Sequence, residues 1–266
     1  MGYTRLYLKF AKLRFFSQTE SRMGYLLHLA SMFMVNTGEF VLLWVMVNRF
    51  NTINGWTAYE VLLMYSLNLT SYAMASCFFY NPFRHLLTRI RTGQLDEVMT
   101  KPMNPLMYLI ASNFGFGYIS HLTLSVSVMC YTFFKLGITL SFIGVLLLLS
   151  FLFGAALLQA SLHILTNVSA FWRLRSDNFM SLVYEFKGFT KYPISIYPFF
   201  IRFTLTWVIP FAFISYYPAE YLLGKTDGTL FHPIVPLLTP VVGLVVFGIS
   251  LLYWKLGLSQ YQSAGA

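Results

Sequence analysis

The sequence predicts an all-α integral membrane protein with six membrane-spanning helices. Three observations predict it. Of 266 residues, 57% are hydrophobic and only 10% charged, where soluble domains carry roughly 25% charged residues. The charges gather between long apolar runs, and the basic ones alternate in density from one connection to the next. No water-soluble fold buries so much apolar surface. At about 20 residues per span the length is taken up by six or seven crossings, leaving no room for a soluble catalytic domain. The chain therefore reads as one membrane domain, residues 1–266. A net charge of +9 would suggest nucleic acid in a soluble protein, but these basic clusters sit in loops, as on the cytoplasmic face of a membrane protein. Nucleic acid is excluded as a partner.

Residues 1–20 read as an interfacial helix, with Tyr3, Leu6, Phe10 and Leu13 on one face and Arg5, Lys9 and Lys12 on another. Arg14 interrupts the apolar edge and can snorkel. A basic tail that merely obeys the orientation rule is the alternative. A cleavable signal peptide is not expected, because these basic residues leave no apolar core.

The first span lies between Arg22 and Arg49 and carries Glu39, on a face shared with His28, Met32 and Asn36. A charge in the membrane must be paired or hydrated, so this stripe faces protein or water. It serves either as a bond to a neighbouring helix or as lining of a substrate path. The second span lies between Glu60 and Asn81. The connection 84–105, RHLLTRIRTGQLDEVMTKPMNP, is long for a loop. It allows two short amphipathic helices broken at Gly93, with Leu86, Leu87, Ile90, Leu95, Val98 and Met99 as apolar faces. Such an element is expected to dock those faces on the membrane surface or in the groove of a soluble partner.

The third span lies within Pro102 to Phe134 and the fourth within Leu136 to Trp172. Their stripes, Asn113, Gly117, His121 and Ser125 on one and Gln159, His163 and Asn167 on the other, favour helix packing over a binding site. The fifth crossing is the difficult one. Hydropathy favours Phe203 to Tyr217, but Ser176 to Gly224 is broken by Pro193, Pro198, Pro210 and Pro218. The last span lies between Asp227 and Lys255. With the N-terminus inside, twelve Lys and Arg fall on the inner side and three, Arg49, Lys135 and Lys225, outside, leaving aside Lys187, Lys191 and Arg202; this places both termini in the cytoplasm. Cys77 and Cys130 then sit near opposite ends of their spans, too far apart for a disulfide, and are expected as two free, buried thiols.

Catalytic motifs are missing from this reading. Gly224-Lys225-Thr226 resembles the tail of a phosphate-binding loop, but Ala219 stands where its first glycine belongs and Tyr216-Tyr217-Pro218 replaces the preceding strand. The five histidines show no metal-ligand spacing, and no nucleophile or acid–base pattern stands out.

Several motifs in order carry a resemblance. Arg91-Thr-Gly93-Gln-Leu95-Asp96 precedes Lys101-Pro102; Tyr192-Pro193-Ile-Ser-Ile-Tyr197-Pro198 with Arg202 precedes Ile209-Pro210-Phe-Ala-Phe and Tyr217-Pro218-Ala219-Glu220; Trp254-Lys-Leu-Gly257 and Tyr261-Gln-Ser-Ala-Gly265-Ala close the chain. Over its whole length the sequence resembles the ABC-2 type permeases, six-span subunits of ABC transporters that dimerise on a pair of nucleotide-binding ATPases. The resemblance implies a coupling element within 84–105 formed by Arg91, Gly93, Leu95, Asp96, Glu97, Val98, Lys101 and Pro102. It also implies an outer re-entrant region, 193–224, that moves the fifth crossing earlier, to begin near Ser176 and carry Asp177, Glu185 and Lys187. A translocation path would involve His28, Asn36, Glu39, Glu185, Tyr197 and Pro210. ATP and Mg would be bound by the partner ATPase, with no cofactor in this chain. The partners implied are that ATPase, a second permease, identical or homologous, and the lipid bilayer; the location implied is the bacterial cytoplasmic membrane; and the activity implied is export of an amphiphilic or hydrophobic substrate. Two other classes compete: an ion-coupled secondary transporter using Glu39, His121 and His163, and a lipid-modifying membrane enzyme using Asp96 and Glu97.

Overall fold

A computed structural model describes residues 9, 12, 13, 16, 22–50, 52–172, 183, 185–225 and 232–263. Of the expected interfacial helix, residues 9, 12, 13 and 16 are helical, and the rest lies outside the described residues, as do Arg173, Arg175, Asp177 and Asp227. The helices in chain order are α1 (Arg22–Arg49), α2 (Ala58–Arg84), α3 (Leu86–Arg91), α4 (Gln94–Met99), α5 (Pro105–Ser112), α6 (Ile119–Leu136), α7 (Phe142–Val168), α8 (Phe199–Phe203), α9 (Ala212–Leu222) and α10 (Thr239–Ser259). Among the described residues, α1, α2, α6, α7 and α10 belong to segments long and apolar enough to cross a bilayer.

Local chemistry sets these boundaries. The Glu60 carboxylate accepts the Thr57 N–H at 2.7 Å at the start of α2, and Asn104 caps α5 by accepting from Leu106 N–H at 3.0 Å, with Pro105 in the first turn. Ser141 caps α7 through Gly144 N–H at 3.2 Å. Gly93 and Gly137 close α3 and α6 with φ of +69° and +65°, a region that costs glycine little.

The bundle is organised around α2, which buries Ser66, Asn68, Thr70, Ser71 and Ser76 along with its apolar residues. Polar groups on several faces are tolerable in a span only when protein surrounds it. Helices α7 and α10 meet backbone to backbone. A Cβ on Gly154 would stand 2.6 Å from Pro240 Cα, and one on Gly243 would overlap the Gly154 carbonyl. Gly257 likewise leaves room for Phe171, whose Cδ2 would lie 2.5 Å from an added Cβ.

Two sequence expectations are corrected by the packing. Leu95 and Val98 do not present a free docking face: Leu95 is fully buried and Val98 nearly so, in a cluster with Phe83, Leu86, Ile164 and Trp254. Their apolar sides are consumed by the ends of α2, α7 and α10. Cys77 is buried as expected, but Cys130 is exposed on the bundle surface, because α6 turns that side away from α2. The third-span stripe is also split, since Asn113 caps α5, Gly117 lies in a separate 3-10 turn, and only His121 and Ser125 sit on α6.

The path of the chain after α7 bears on the fifth crossing. Phe171 packs on Trp254 at the α3–α4 end of the bundle. Further on, Lys187 lies over Tyr72, Thr190 bonds Asn68, Lys191 bonds Glu39, and the Ser195 carbonyl accepts from Asn54 at 3.0 Å. The partners run from Tyr72 to Asn68 on α2, then to Glu39 of α1 and Asn54 in the α1–α2 connection, so the chain passes from one end of the bundle to the other between Trp172 and Ser195. At 1.5 Å per residue that stretch suffices for a helical core crossing of about 30 Å; residues 173–182 and 184 within it lie outside the described set.

Beyond Ser195 the chain doubles back in a hairpin. Helix α8 continues into a π-helical turn, Thr204–Val208, breaks at Pro210, and resumes as α9 with a bend of 106°. Its entrance is tied to Asn54 through Ser195. Its exit is tied to the same turn, with Lys225 Nζ 2.6 Å from the Gly55 carbonyl and 3.0 Å from Glu60 Oε2. Both ends thus meet the α1–α2 connection, which favours the re-entrant reading of 193–224 over hydropathy's choice of a crossing there. Single cysteines at Ile196 and Gly224, in a chain lacking Cys77 and Cys130, should both react with an impermeant thiol reagent added outside, and one at Thr92 only after permeabilisation. Labelling of 196 and 224 from opposite sides would restore the crossing.

Candidate functional site

Helix α1 places His28, Met32, Asn36 and Glu39 on one side because their spacings of three and four return to the same face. That side does not face a single helix. It borders two cavities stacked along α2. The first, of about 460 Å³, is lined by His28 and Met32 together with Tyr80, Arg84 and Gly117. Gly117 permits the approach of His28, whose Nε2 would lie 3.2 Å from an added Cβ. Arg84 donates to the Tyr80 hydroxyl at 2.8 Å, and its guanidinium lies 5.3 Å from that ring's centroid.

The second cavity, of about 290 Å³, is bordered by Asn36, Glu39, Tyr65, Tyr72, Lys187 and Lys191. Glu39 accepts a short hydrogen bond from the Tyr65 hydroxyl and two from Lys191 Nζ, at 3.1 and 3.0 Å. The two side chains remain 39% and 40% exposed, so the pair opens onto the cavity. Lys187 places its ammonium 3.8 Å from the Tyr72 ring centroid, within the range of cation–π attraction. The lysines are held by backbone anchoring: Asn68 donates to Thr190 Oγ1 at 2.7 Å, and that hydroxyl donates to the Lys187 carbonyl at 2.7 Å.

An aromatic partition separates the two spaces. Tyr72 and Tyr118 meet edge to face with centroids 5.9 Å apart, and Tyr80 meets Tyr118 at 5.5 Å. Behind them, His163 lies 5.3 Å from Tyr80 and contacts the Ser76 hydroxyl at 3.1 Å. The arrangement offers polar spaces above and below a wall of rings, with cations at both levels. Among the described residues no group of His, Cys, Asp and Glu could hold a metal ion.

The structure thus brings His28, Asn36 and Glu39 to cavities and leaves the other expected path residues elsewhere. Glu185 is exposed and borders neither cavity. Tyr197 packs on Phe189 at 5.2 Å, and Pro210 sits at the hairpin break. Glu39 is bonded to a neighbouring helix through Tyr65 and also borders a cavity. Sequence reasoning named Lys187 only as a charge of the fifth span and missed Lys191, Tyr65 and Tyr72. The usable signal was two lysines four residues apart in an apolar stretch, which needed an acid at membrane depth, and Glu39 was that acid.

At the other end, α3 and α4 form a tight hairpin about Gly93. Leu95 and Val98 point inward, while Arg91, Gln94, Glu97, Met99 and Pro102 are exposed. Glu97 pairs with Lys101 at 3.0 Å, and this hydrogen bond raises the Lys101 pKa above its ordinary value. Asp96 accepts from Ser263 Oγ at 2.7 Å, so the C-terminal segment clasps the hairpin. The surface available to a partner is polar and charged with Met99 at its edge, instead of the apolar face expected.

A family model described as "ABC-2 family transporter protein" matches residues 33–265. No curated protein and no solved structure matches the chain.

Proposed function

The chain belongs to the ABC-2 transporter family, and from that premise we propose that it is a permease subunit exporting an amphiphilic or hydrophobic substrate, driven by ATP hydrolysed on a separate nucleotide-binding subunit. The supporting observation is that charged, partly open cavities lie along α2 while a short helical hairpin is seated on the ends of α2, α7 and α10. A push on α3–α4 would move α2, which borders both cavities, because Leu86, Leu95 and Val98 share one packed cluster with Phe83 of α2, Ile164 of α7 and Trp254 of α10. Tightly packed elements transmit displacement and do not absorb it.

The residues proposed to meet the ATPase are Arg91, Gln94, Glu97 and Met99, with Gly93 setting the turn, Asp96 and Lys101 fixing its sides, and Leu95 and Val98 rooting it. ATP and Mg would be bound by that partner. A second permease would complete the complex in the bacterial cytoplasmic membrane, with the α3–α4 end and both termini in the cytoplasm, as the basic residues favour. The ion-coupled alternative is less well supported, because Glu39 is engaged by Lys191 and Tyr65 and not by a histidine.

Purification from native membranes provides the test. The chain alone should hydrolyse no ATP, and a nucleotide-binding subunit should co-purify in fixed stoichiometry and supply hydrolysis. ATP turnover by the isolated, contaminant-free chain, or recovery from native membranes without any such subunit, would overturn the proposal.

A further inference from the structure

We propose that the substrate carries an oxyanionic group, a phosphate, sulfate or carboxylate, on an apolar or aromatic body, and that Lys187 and Lys191 hold that group in the second cavity. This deepens the permease reading and rests on it. The charges that border the path point to it. Among the described residues lining the two cavities, Arg84, Lys187 and Lys191 are cationic and Glu39 is the acid. Glu39 neutralises Lys191. Lys187 forms no ion pair among the described residues, and its ammonium rests on the Tyr72 ring.

An unpaired cation at membrane depth is costly, and it persists where water or a partner reaches it. An ammonium has three N–H donors, and a ring beneath it engages one side, leaving donors to turn toward the cavity. An arriving oxyanion would receive bonds from Lys187 directly. It would also compete with Glu39 for Lys191, which is already extended into the same space. The wall of Tyr72, Tyr80 and Tyr118 offers ring edges to an apolar or aromatic body. A cationic substrate meets the opposite situation: the protein's own Lys187 and Arg84 already occupy the ring faces of Tyr72 and Tyr80, and the carboxylate is already paired.

The test is equilibrium binding to the full chain in phosphatidylcholine nanodiscs, read from ligand-induced shifts in thermal unfolding. The probes are dodecyl phosphate, dodecyl sulfate and dodecanoate, compared with dodecyltrimethylammonium and dodecanol. At least one of the anions should bind, and the two controls should not; the order among the three anions distinguishes the headgroup. Lys187→Gln should weaken binding about tenfold or more, the loss expected for a charge-assisted hydrogen bond, and Lys187→Arg should retain it. Glu39→Gln should act in the opposite direction and tighten binding, because it frees Lys191 and removes a repelling carboxylate.

Absence of anion binding by the wild-type chain would overturn the inference. So would binding of dodecyltrimethylammonium as tight as that of the best anion, or a Glu39→Gln chain that binds anions more weakly. Should Lys187→Gln fail to fold, the wild-type ligand series and Glu39→Gln still decide. The assay needs no ATPase, so the two readings fail separately. Anion binding with no nucleotide-binding partner would fault the permease proposal, and ATP-driven transport by a chain that binds no anion would fault this one.

Discussion

Gly243→Val should abolish recovery of a monodisperse, folded chain from the membrane, while Gly248→Val on the same helix should leave it intact. An added Cβ at Gly243 runs into the Gly154 carbonyl, whereas at Gly248 it meets nothing within 4 Å. Overpacking against flexible side chains costs about 1–3 kcal/mol. At Gly243 the obstacle is backbone on a facing helix, which cannot rotate away, so the effect should lie at or above that range and against a total stability of only about 5–15 kcal/mol. Size-exclusion profiles and thermal unfolding of the detergent-extracted variants measure it. Equal behaviour of the two variants would show that α7 and α10 do not touch at this point.

Leu95→Asp should also unfold the α3–α4 end, a result opposite to that for a free docking face. Leu95 is fully buried against its own chain, and an unpaired carboxylate there costs several kcal/mol (roughly 2–7 even for a neutral polar group). Met99→Asp, at a residue 46% exposed, should leave thermal stability within about 0.5 kcal/mol of the wild type and weaken retention of the ATPase instead. The two variants separate rooting from contact. A stable Leu95→Asp chain that has merely lost its ATPase would return Leu95 to the interface.

The long spans were legible because their signal is composition, which needs no knowledge of neighbours. Gly93 likewise announced a boundary through the backbone freedom of glycine. The proline-broken hairpin read as re-entrant only once a family resemblance supplied the alternative, since Phe203 to Tyr217 is apolar enough to pass for a span. Its decisive feature, that Ser195 and Lys225 return to one turn, is a long-range contact with no local signature. The same limit explains the α3–α4 hairpin. Amphipathicity showed that Leu95 and Val98 had to be covered, and it could not show whether the cover was a partner or the ends of α2, α7 and α10. In the candidate path, the α1 stripe from His28 to Glu39 was readable from helical spacing. Lys187 and Lys191 were visible as charges but had no address until their contacts with Tyr72 and Glu39 were known.

The ladder of contacts from Lys187 to Ser195 also bears on how the chain is made. A lysine opposes entry into the bilayer by roughly 2.5–3.5 kcal/mol at the centre of a helix and by less near its end, and this stretch carries two. Its partners are provided by helices synthesised much earlier: Glu39 precedes Lys191 by 152 positions. The segment therefore has little reason to leave the translocon on its own hydrophobicity, and gains one when α1 and α2 present a carboxylate, a phenol ring and an amide at matching depths. Biogenesis would then run out of step with translation, with the stretch carrying Lys187 and Lys191 held back until the first two helices can receive it. Glu39→Leu, which leaves Lys191 and Tyr65 no acceptor, should therefore surface as a late insertion defect far downstream, whereas Glu39→Gln keeps an acceptor oxygen and should still insert.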